Sequence, residues 1–305
     1  MNISDKKYIQ INEVGPRDGF QIESKFIPTP LKLEMINGLA AAGISQIQVA
    51  SFVHPKKVPQ MADAKRVVAG LTQRDGVSYN ALALNLKGVQ RAHNCGITNL
   101  EIGASASGTH SEKNTGMSFK ESLSQSIKMI RTAKKYHMKI RAGIQCSFGC
   151  HYEGPIPVTK VLHVARHLFD EGIDRLLLGD TTGMATPPAI AAVLEAILKI
   201  SAHTPLGLHL HDTRGVGLVN LMEGLKFDIT HFDTSFGGLG GCPFVPGAAG
   251  NIATEETVYL LNALNYHTGI NIRKVAACSH KMEAFLEKPL AGKMYRTFTS
   301  QNGCN

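Results

Sequence analysis

Two histidines separated by one residue stand at the end of an apolar run, in the segment Gly207–Thr213, and Asp212 follows them. In an extended strand alternate side chains share a face, so His209 and His211 point the same way. Paired imidazoles with a nearby carboxylate can hold a divalent cation. A second segment, Glu13–Gly19, follows an earlier strand-like run and carries Arg17 and Asp18. Brought beside His209 and His211, Asp18 completes a set of one carboxylate and two imidazoles, with positions left for water and a chelating substrate. Mixed nitrogen and oxygen ligation suits Mg²⁺, Mn²⁺ or Zn²⁺, and the residue types do not choose among them. Arg17 and Asp18 are adjacent, so an extended backbone sends them apart. Gly15, Pro16 and Gly19 supply a turn that can bring both inward. A guanidinium in that place can stabilise an enolate oxygen as it forms; the other reading is a salt bridge that only orders the loop.

The glycine-rich stretch Gly237–Pro243 surrounds Cys242. Such a loop can move as a lid, and a thiol on it can act as general acid or base over the site. A phosphate-binding turn or a plain connector remains open as the other reading of the same residues.

These groups need elements to position them. Strand-like segments fall at Tyr8–Val14, Ile44–Ser51, Val77–Ala83, Asn99–Ala104, Lys139–Cys146, Arg175–Gly179, Leu206–His211 and His231–Ser235. Helical patterns alternate with them at Pro30–Ala42, Met61–Gly70, Leu86–Asn94, Phe119–His137, Pro157–Gly172, Pro187–Ile200, Gly217–Leu225 and Glu255–Leu264. Strands that alternate with helices pair in parallel. This repetition predicts a (β/α)8 TIM barrel over residues 1–275, with a small C-terminal helical extension and tail over 276–305. Active sites in such barrels lie at the C-terminal strand ends. The polar residues obey that rule: Arg17 and Asp18 close the first strand, Gln48 and Ser51 the second, and Asp180 the sixth. His209 and His211 close the seventh, and Asp233 and Ser235 stand toward the end of the eighth.

Hydrophobic residues are 43% and charged residues 18% of the 305, the ordinary balance of a soluble globular protein. No apolar run is long enough to span a bilayer. Met1–Lys7 lacks the apolar region of a signal peptide, so a cytoplasmic protein is expected. The formal charge is +8, but the lysines and arginines are scattered, which argues against nucleic acid; a small phosphorylated substrate and plain solubilisation both fit. The six cysteines, Cys304 among them, show no disulfide framework in their spacing.

Several stretches act together: Val14–Gly19, Ser51–Lys56, Val58–Met61, Leu178–Thr181, His209–Thr213, Gly238–Pro243, and Gly250 and Asn251 with Ala253–Glu255. Through them the sequence resembles the 3-hydroxy-3-methylglutaryl-CoA lyase family from about Ile11 to Val275. The resemblance implies Mg²⁺ or Mn²⁺ held by Asp18, His209, His211 and Asn251, an acyl-CoA substrate, and a homodimer. It implies that Arg17 stabilises the enolate of departing acetyl-CoA, that Cys242 takes part in proton transfer, and that Asp180 and Glu255 assist. Gln21, Gln48 and Ser51 are placed with Arg17 on the substrate. The implied reaction is a retro-Claisen cleavage to acetyl-CoA and acetoacetate.

One position departs from the pattern. Where the family typically carries a glutamate at the end of the second strand, this chain has Gln48, which is neutral and cannot act as a base. A related 3-hydroxyacyl-CoA is therefore an alternative substrate, and Gln48→Glu is expected to raise activity on 3-hydroxy-3-methylglutaryl-CoA. Two further readings are a synthase that condenses acetyl-CoA with a 2-oxo acid and a catalytically weak binding protein. The Gly238–Pro243 loop and the short C-terminal region speak against the first. The intact Arg17, Asp18, His209, His211 and Cys242 speak against the second.

Overall fold

The structure, a computed structural model, describes residues 7–201, 203–241 and 250–298. Eight parallel strands close into a barrel in sequence order. They are β1 (Gln10–Glu13), β2 (Gln46–Ser51), β3 (Ser78–Leu82), β4 (Asn99–Ser105), β5 (Lys139–Gln145), β6 (Arg175–Gly179), β7 (Leu206–His209) and β8 (His231–Thr234). β1 pairs with β2 on one side and with β8 on the other, which shuts the sheet. This is the TIM barrel that the alternating pattern predicts.

Parallel neighbours need a long crossover, and helices supply it: α1 (Thr29–Ala41), α2 (Ala64–Ala69), α3 (Leu86–Asn94), α4 (Gly108–Thr115), α5 (Phe119–Lys135), α6 (Val158–Asp170), α7 (Pro187–Leu198) and α8 (Gly217–Lys226), while α9 (Thr254–Ala263) follows the last strand. Ile140, Ala142 and Ile144 alternate along β5 and are fully buried, which places them against this outer ring. Local chemistry sets the helix ends. Ser118 and Glu121 form a capping box at the start of α5, and Gly172, at φ 63°, follows α6 in the left-handed conformation.

The strands are shorter than the alternation suggests, with β7 ending at His209 and β8 at Thr234. The cause lies at the rim. His211 leaves the parallel ladder for an antiparallel bridge with Asn251, and Ser235 bridges to Ala253. The chain after β8 thus folds back over the strand ends. The helix expected over Met61–Gly70 is divided into a 3-10 turn, Pro59–Met61, and α2. Helix α4 has no counterpart in the sequence reading. Its cap Ser107 accepts from the His110 amide, but no apolar periodicity announces a segment that reads GTHSEKNT.

After the barrel come α10 (Ile272–Leu286) and a 3-10 turn, Met294–Thr297. Helix α10 packs on α1 and α9 and runs through residue 275, where the sequence reading divides the chain. Cys304 lies outside the described residues. The described cysteines Cys95, Cys146, Cys150 and Cys278 are free. Among the described residues no helix is long and apolar enough to cross a membrane.

The barrel interior is polar where branched apolar layers are usual. Asn12, Gln48, Glu101 and Asp233 are all buried there. Asn12 donates to Asp233 at 3.0 Å and accepts from Asn80 at 2.8 Å.

Candidate active site and metal centre

The segment after β1 forms a single π-helical turn, Gly15–Gly19. The Val14 carbonyl accepts the amides of Arg17 at 3.0 Å and Asp18 at 2.7 Å. A Cβ on Gly15 would come within 2.6 Å of the Phe236 ring, and one on Gly19 within 2.8 Å of the Leu239 side chain. Only glycine lets this turn seat beneath the chain that follows β8. The turn presents Arg17 and Asp18 on one side, with Arg17 Nη1 paired to Asp18 Oδ1.

Asp18, His209 and His211 each offer one ligand atom, and these atoms lie within 4.8 Å of one another. The two Nε2 atoms face each other at 3.2 Å. His209 Nδ1 lies 3.1 Å from Asp233 Oδ2, which fixes a proton on Nδ1; burial works against the charged ring, but Asp233 and Asp18 outweigh it and raise His209, so a cation at Nε2 would take the place of the second proton. Burial and the neighbouring His209 hold His211 well below its ordinary pKa, so it is a neutral ligand. Burial raises Asp18, but Arg17 and the imidazoles outweigh it and keep the carboxylate below its usual range. Asn251 Nδ2 donates to Asp18 Oδ2 at 2.9 Å and to the Leu239 carbonyl at 3.2 Å. Asn251 Oδ1 is buried with no hydrogen-bond partner among the described residues. A buried acceptor without a donor is costly, and a cation satisfies it. These donors fit a divalent cation in mixed nitrogen and oxygen ligation.

A chain of polar contacts links Arg17 to the far side of this centre. Arg17 Nε donates to Gln48 Oε1, and Gln48 Nε2 donates to Glu101 Oε2 at 2.8 Å. Arg141 lies 2.9 Å from Glu101 Oε2 and also pairs with Asp233, which holds His209. Sequence reasoning missed Glu101 and Arg141. The available signal was a charged residue in mid-strand at the parity that faces inward. Gln48 and Ser51 stand three positions apart, which regular alternation sends to opposite faces. A register shift between Gln48 and Ala50 re-aims the strand end and brings both to the site side.

A cavity of about 680 Å³ opens here, with Arg17, Asp18, Gln21, Ser51, His209 and His211 in its wall. Gln21 Nε2 donates to Asp18 Oδ1 at 3.1 Å, and the Ser51 hydroxyl is buried with no hydrogen-bond partner among the described residues. Gln48 is fully buried behind Arg17. Asp180 and Glu255 are buried behind the residues that line the cavity, and both brace backbone around it. Asp180 Oδ1 accepts from the Ala185 amide at 2.9 Å, and burial pushes its pKa up to about 6. Glu255 accepts from the Gly237 amide at 2.9 Å and from Ser279, and burial pushes it up to about 7. Glu13 accepts from the amides of Gly15 at 2.8 Å and Phe236 at 3.0 Å, tying the two site loops together. Cys242 lies outside the described residues; its neighbour Gly241 lines the cavity.

The sequence matches the HMGL-like family over residues 8–281. A protein of Bacillus subtilis, hydroxymethylglutaryl-CoA lyase YngG, is 41% identical over 294 residues, covering 96% of this chain and 98% of that one. The crystal structure of the Bacillus subtilis HMG-CoA lyase superposes with a TM-score of 0.93 over 96% of this chain and 99% of that one. An HMG-CoA lyase from Acinetobacter baumannii, solved with coenzyme A and 3-methylmalate, is 33% identical with a TM-score of 0.91, covering 98% and 97% of the two chains. Fold, rim chemistry and sequence agree, and the chain belongs to the HMGL-like family of divalent-metal-dependent carbon–carbon lyases.

Proposed function

We propose that this chain cleaves 3-hydroxy-3-methylglutaryl-CoA to acetyl-CoA and acetoacetate. The observation that carries the reading is the convergence of Arg17 with Asp18, His209 and His211 on one cavity wall in a chain of this family. A divalent cation, Mg²⁺ or Mn²⁺ as the finer proposal, would be held by Asp18, His209, His211 and Asn251 and would supply Lewis acidity toward the substrate's 3-hydroxyl. The 3-hydroxyl gives its proton to water in the cavity as the C2–C3 bond breaks, its oxygen becomes the ketone of acetoacetate, and the C2–C3 bonding electrons pass to the thioester as an enolate. Arg17 meets that charge. Its guanidinium is fixed by Gln48 and Asp18 before the substrate arrives, so no reorganisation is needed as the oxyanion forms. Gln21 and the Ser51 hydroxyl, which has no partner among the described residues, offer donors to the acyl group. Lys57 at the same cavity offers a cation to an anionic thioester. Proton delivery to the enolate carbon is assigned to Cys242 on the strength of the family resemblance. The homodimer and the cytoplasmic placement belong to the proposal and rest on the sequence reading alone.

The test is product analysis with Mg²⁺ present. Acetyl-CoA and acetoacetate in equal amounts support the proposal, with Arg17→Gln lowering kcat by about 10²–10³. Free CoA without acetoacetate identifies thioester hydrolysis and overturns it.

A further inference from the structure

Two glycines stand side by side in the barrel wall. Gly103 of β4 and Gly143 of β5 are direct register partners, and both line the cavity. Neither has positive φ, so the backbone conformation does not call for glycine. A Cβ on Gly143 would meet only Glu101 Oε1, at 3.9 Å, and one on Gly103 only the Gly143 carbonyl, at 3.3 Å. Packing therefore leaves room for a side chain at 143, although glycine weakens a strand interior. Alternate residues share a face, so these positions lie on the face that carries Glu101 and Arg141. The outcome is a notch in the cavity wall with a carboxylate at its floor.

Glu101 has one oxygen committed and one available. Oε2 accepts from Gln48 at 2.8 Å and lies 2.9 Å from Arg141. No described residue donates to Oε1, which lies 3.9 Å from Arg17 Nη2. The other terminal nitrogen of Arg17 grips Asp18. Notch and metal centre are neighbours across a single guanidinium.

Resting on the lyase reading above, we propose that this notch is a subsite for the third carbon substituent on C3 of the acyl-CoA. It admits a group larger than methyl that ends in a hydroxyl or amide N–H, donated to Glu101 Oε1. A carboxylate end group is repelled by Glu101, and an ammonium by Arg17 and Arg141 on either side. An apolar end group strips water from the carboxylate oxygen and gives nothing back. The recognised class is a 3-hydroxyglutaryl-type thioester with a short, neutral, donor-tipped branch at C3.

Three thioesters test this: 3-hydroxy-3-methylglutaryl-CoA and its analogues with carbamoylmethyl or isobutyl in place of the methyl. The two larger branches have nearly the same shape and differ in the donor. The subsite predicts kcat/KM for the carbamoylmethyl substrate about tenfold or more above the isobutyl one. Glu101→Leu should erase that ratio. Gly143→Val fills the notch without changing a charge, and should lower kcat/KM for the carbamoylmethyl substrate relative to the methyl one by about tenfold or more. Should Glu101→Leu fail to fold, Gly143→Val carries the test. Cleavage of the methyl substrate alone, equal use of the two larger ones, or an unchanged ratio in Gly143→Val overturns the subsite. Silence on all three overturns the lyase reading and the subsite with it.

Discussion

Replacing Asp233 by asparagine changes one atom of the site and isolates what the buried ring of polar groups does for the metal centre. Asp233 Oδ1 accepts from Asn12 at 3.0 Å, while Oδ2 accepts from His209 Nδ1 at 3.1 Å and from Arg141. Burial favours the neutral acid, but Arg141 and His209 outweigh it and hold the carboxyl well below its usual range. An asparagine that keeps the Asn12 contact turns its amide N–H groups toward two donors, Arg141 and His209 Nδ1–H. The flipped amide loses Asn12 instead. His209 relieves the conflict by moving its proton to Nε2, the atom assigned to the cation. Loss of such a partner lowers metal affinity about 10–100-fold, or about 1.4–2.7 kcal/mol. Arg141 keeps Glu101 at 2.9 Å, so no buried charge is stranded and the fold persists. Calorimetric titration of Mn²⁺ into chelator-treated protein reads the effect directly. A variant that binds Mn²⁺ as tightly as the parent refutes the claim that Asp233 fixes the His209 tautomer.

Lys32 and Asp63 form a buried pair at 2.7 Å that joins α1 to the residue preceding α2. Lys32→Met should lower unfolding stability by about 3–5 kcal/mol in urea, because it leaves Asp63 charged and unpaired. Adding Asp63→Leu should recover most of the loss, and a double variant no better than the single one contradicts this. Burial raises Glu13 in the folded protein from 4.5 to about 8. Because the folded pKa lies above the unfolded one, its contribution is full below about pH 4.5 and is lost as pH rises to about 8. Glu13→Gln should therefore flatten the fall in melting temperature between those limits, and a parent-like slope contradicts the assignment. Gln48→Glu, expected from the sequence to raise activity, would place a carboxylate against Glu101, which now accepts from Gln48 at 2.8 Å. We expect the single change to lower kcat/KM and the pair Gln48→Glu with Glu101→Gln to restore it; a gain from the single change returns the argument to the sequence view.

The barrel and the pairing of His209 with His211 were legible because both follow from simple periods. A strand-helix alternation fixes the parallel sheet, and a two-residue spacing fixes which side His209 and His211 share. The turn at Gly15–Gly19 was legible as a turn, though not as the π-helical one that aims Arg17 and Asp18 together. Glu101 and Arg141 were legible only as charged residues at inward-facing strand positions; their contact with each other and with the site depends on which strands become neighbours across a closed interior. The register shift after Gln48 is equally silent in one sequence, because it is set by pairing with β3. The family resemblance implies that Asp180 and Glu255 assist the reaction. Their burial and backbone contacts place them as braces of the site loops.

The central claim is metal-dependent carbon–carbon cleavage at the rim that Asp18, His209 and His211 build. The most direct test follows acetyl-CoA release from 3-hydroxy-3-methylglutaryl-CoA by the intact protein, first in excess chelator and then with Mg²⁺ or Mn²⁺ restored. The account predicts no release in chelator and recovery on adding either ion, with no recovery in His211→Ala. Release that persists in chelator, or that His211→Ala retains, contradicts it.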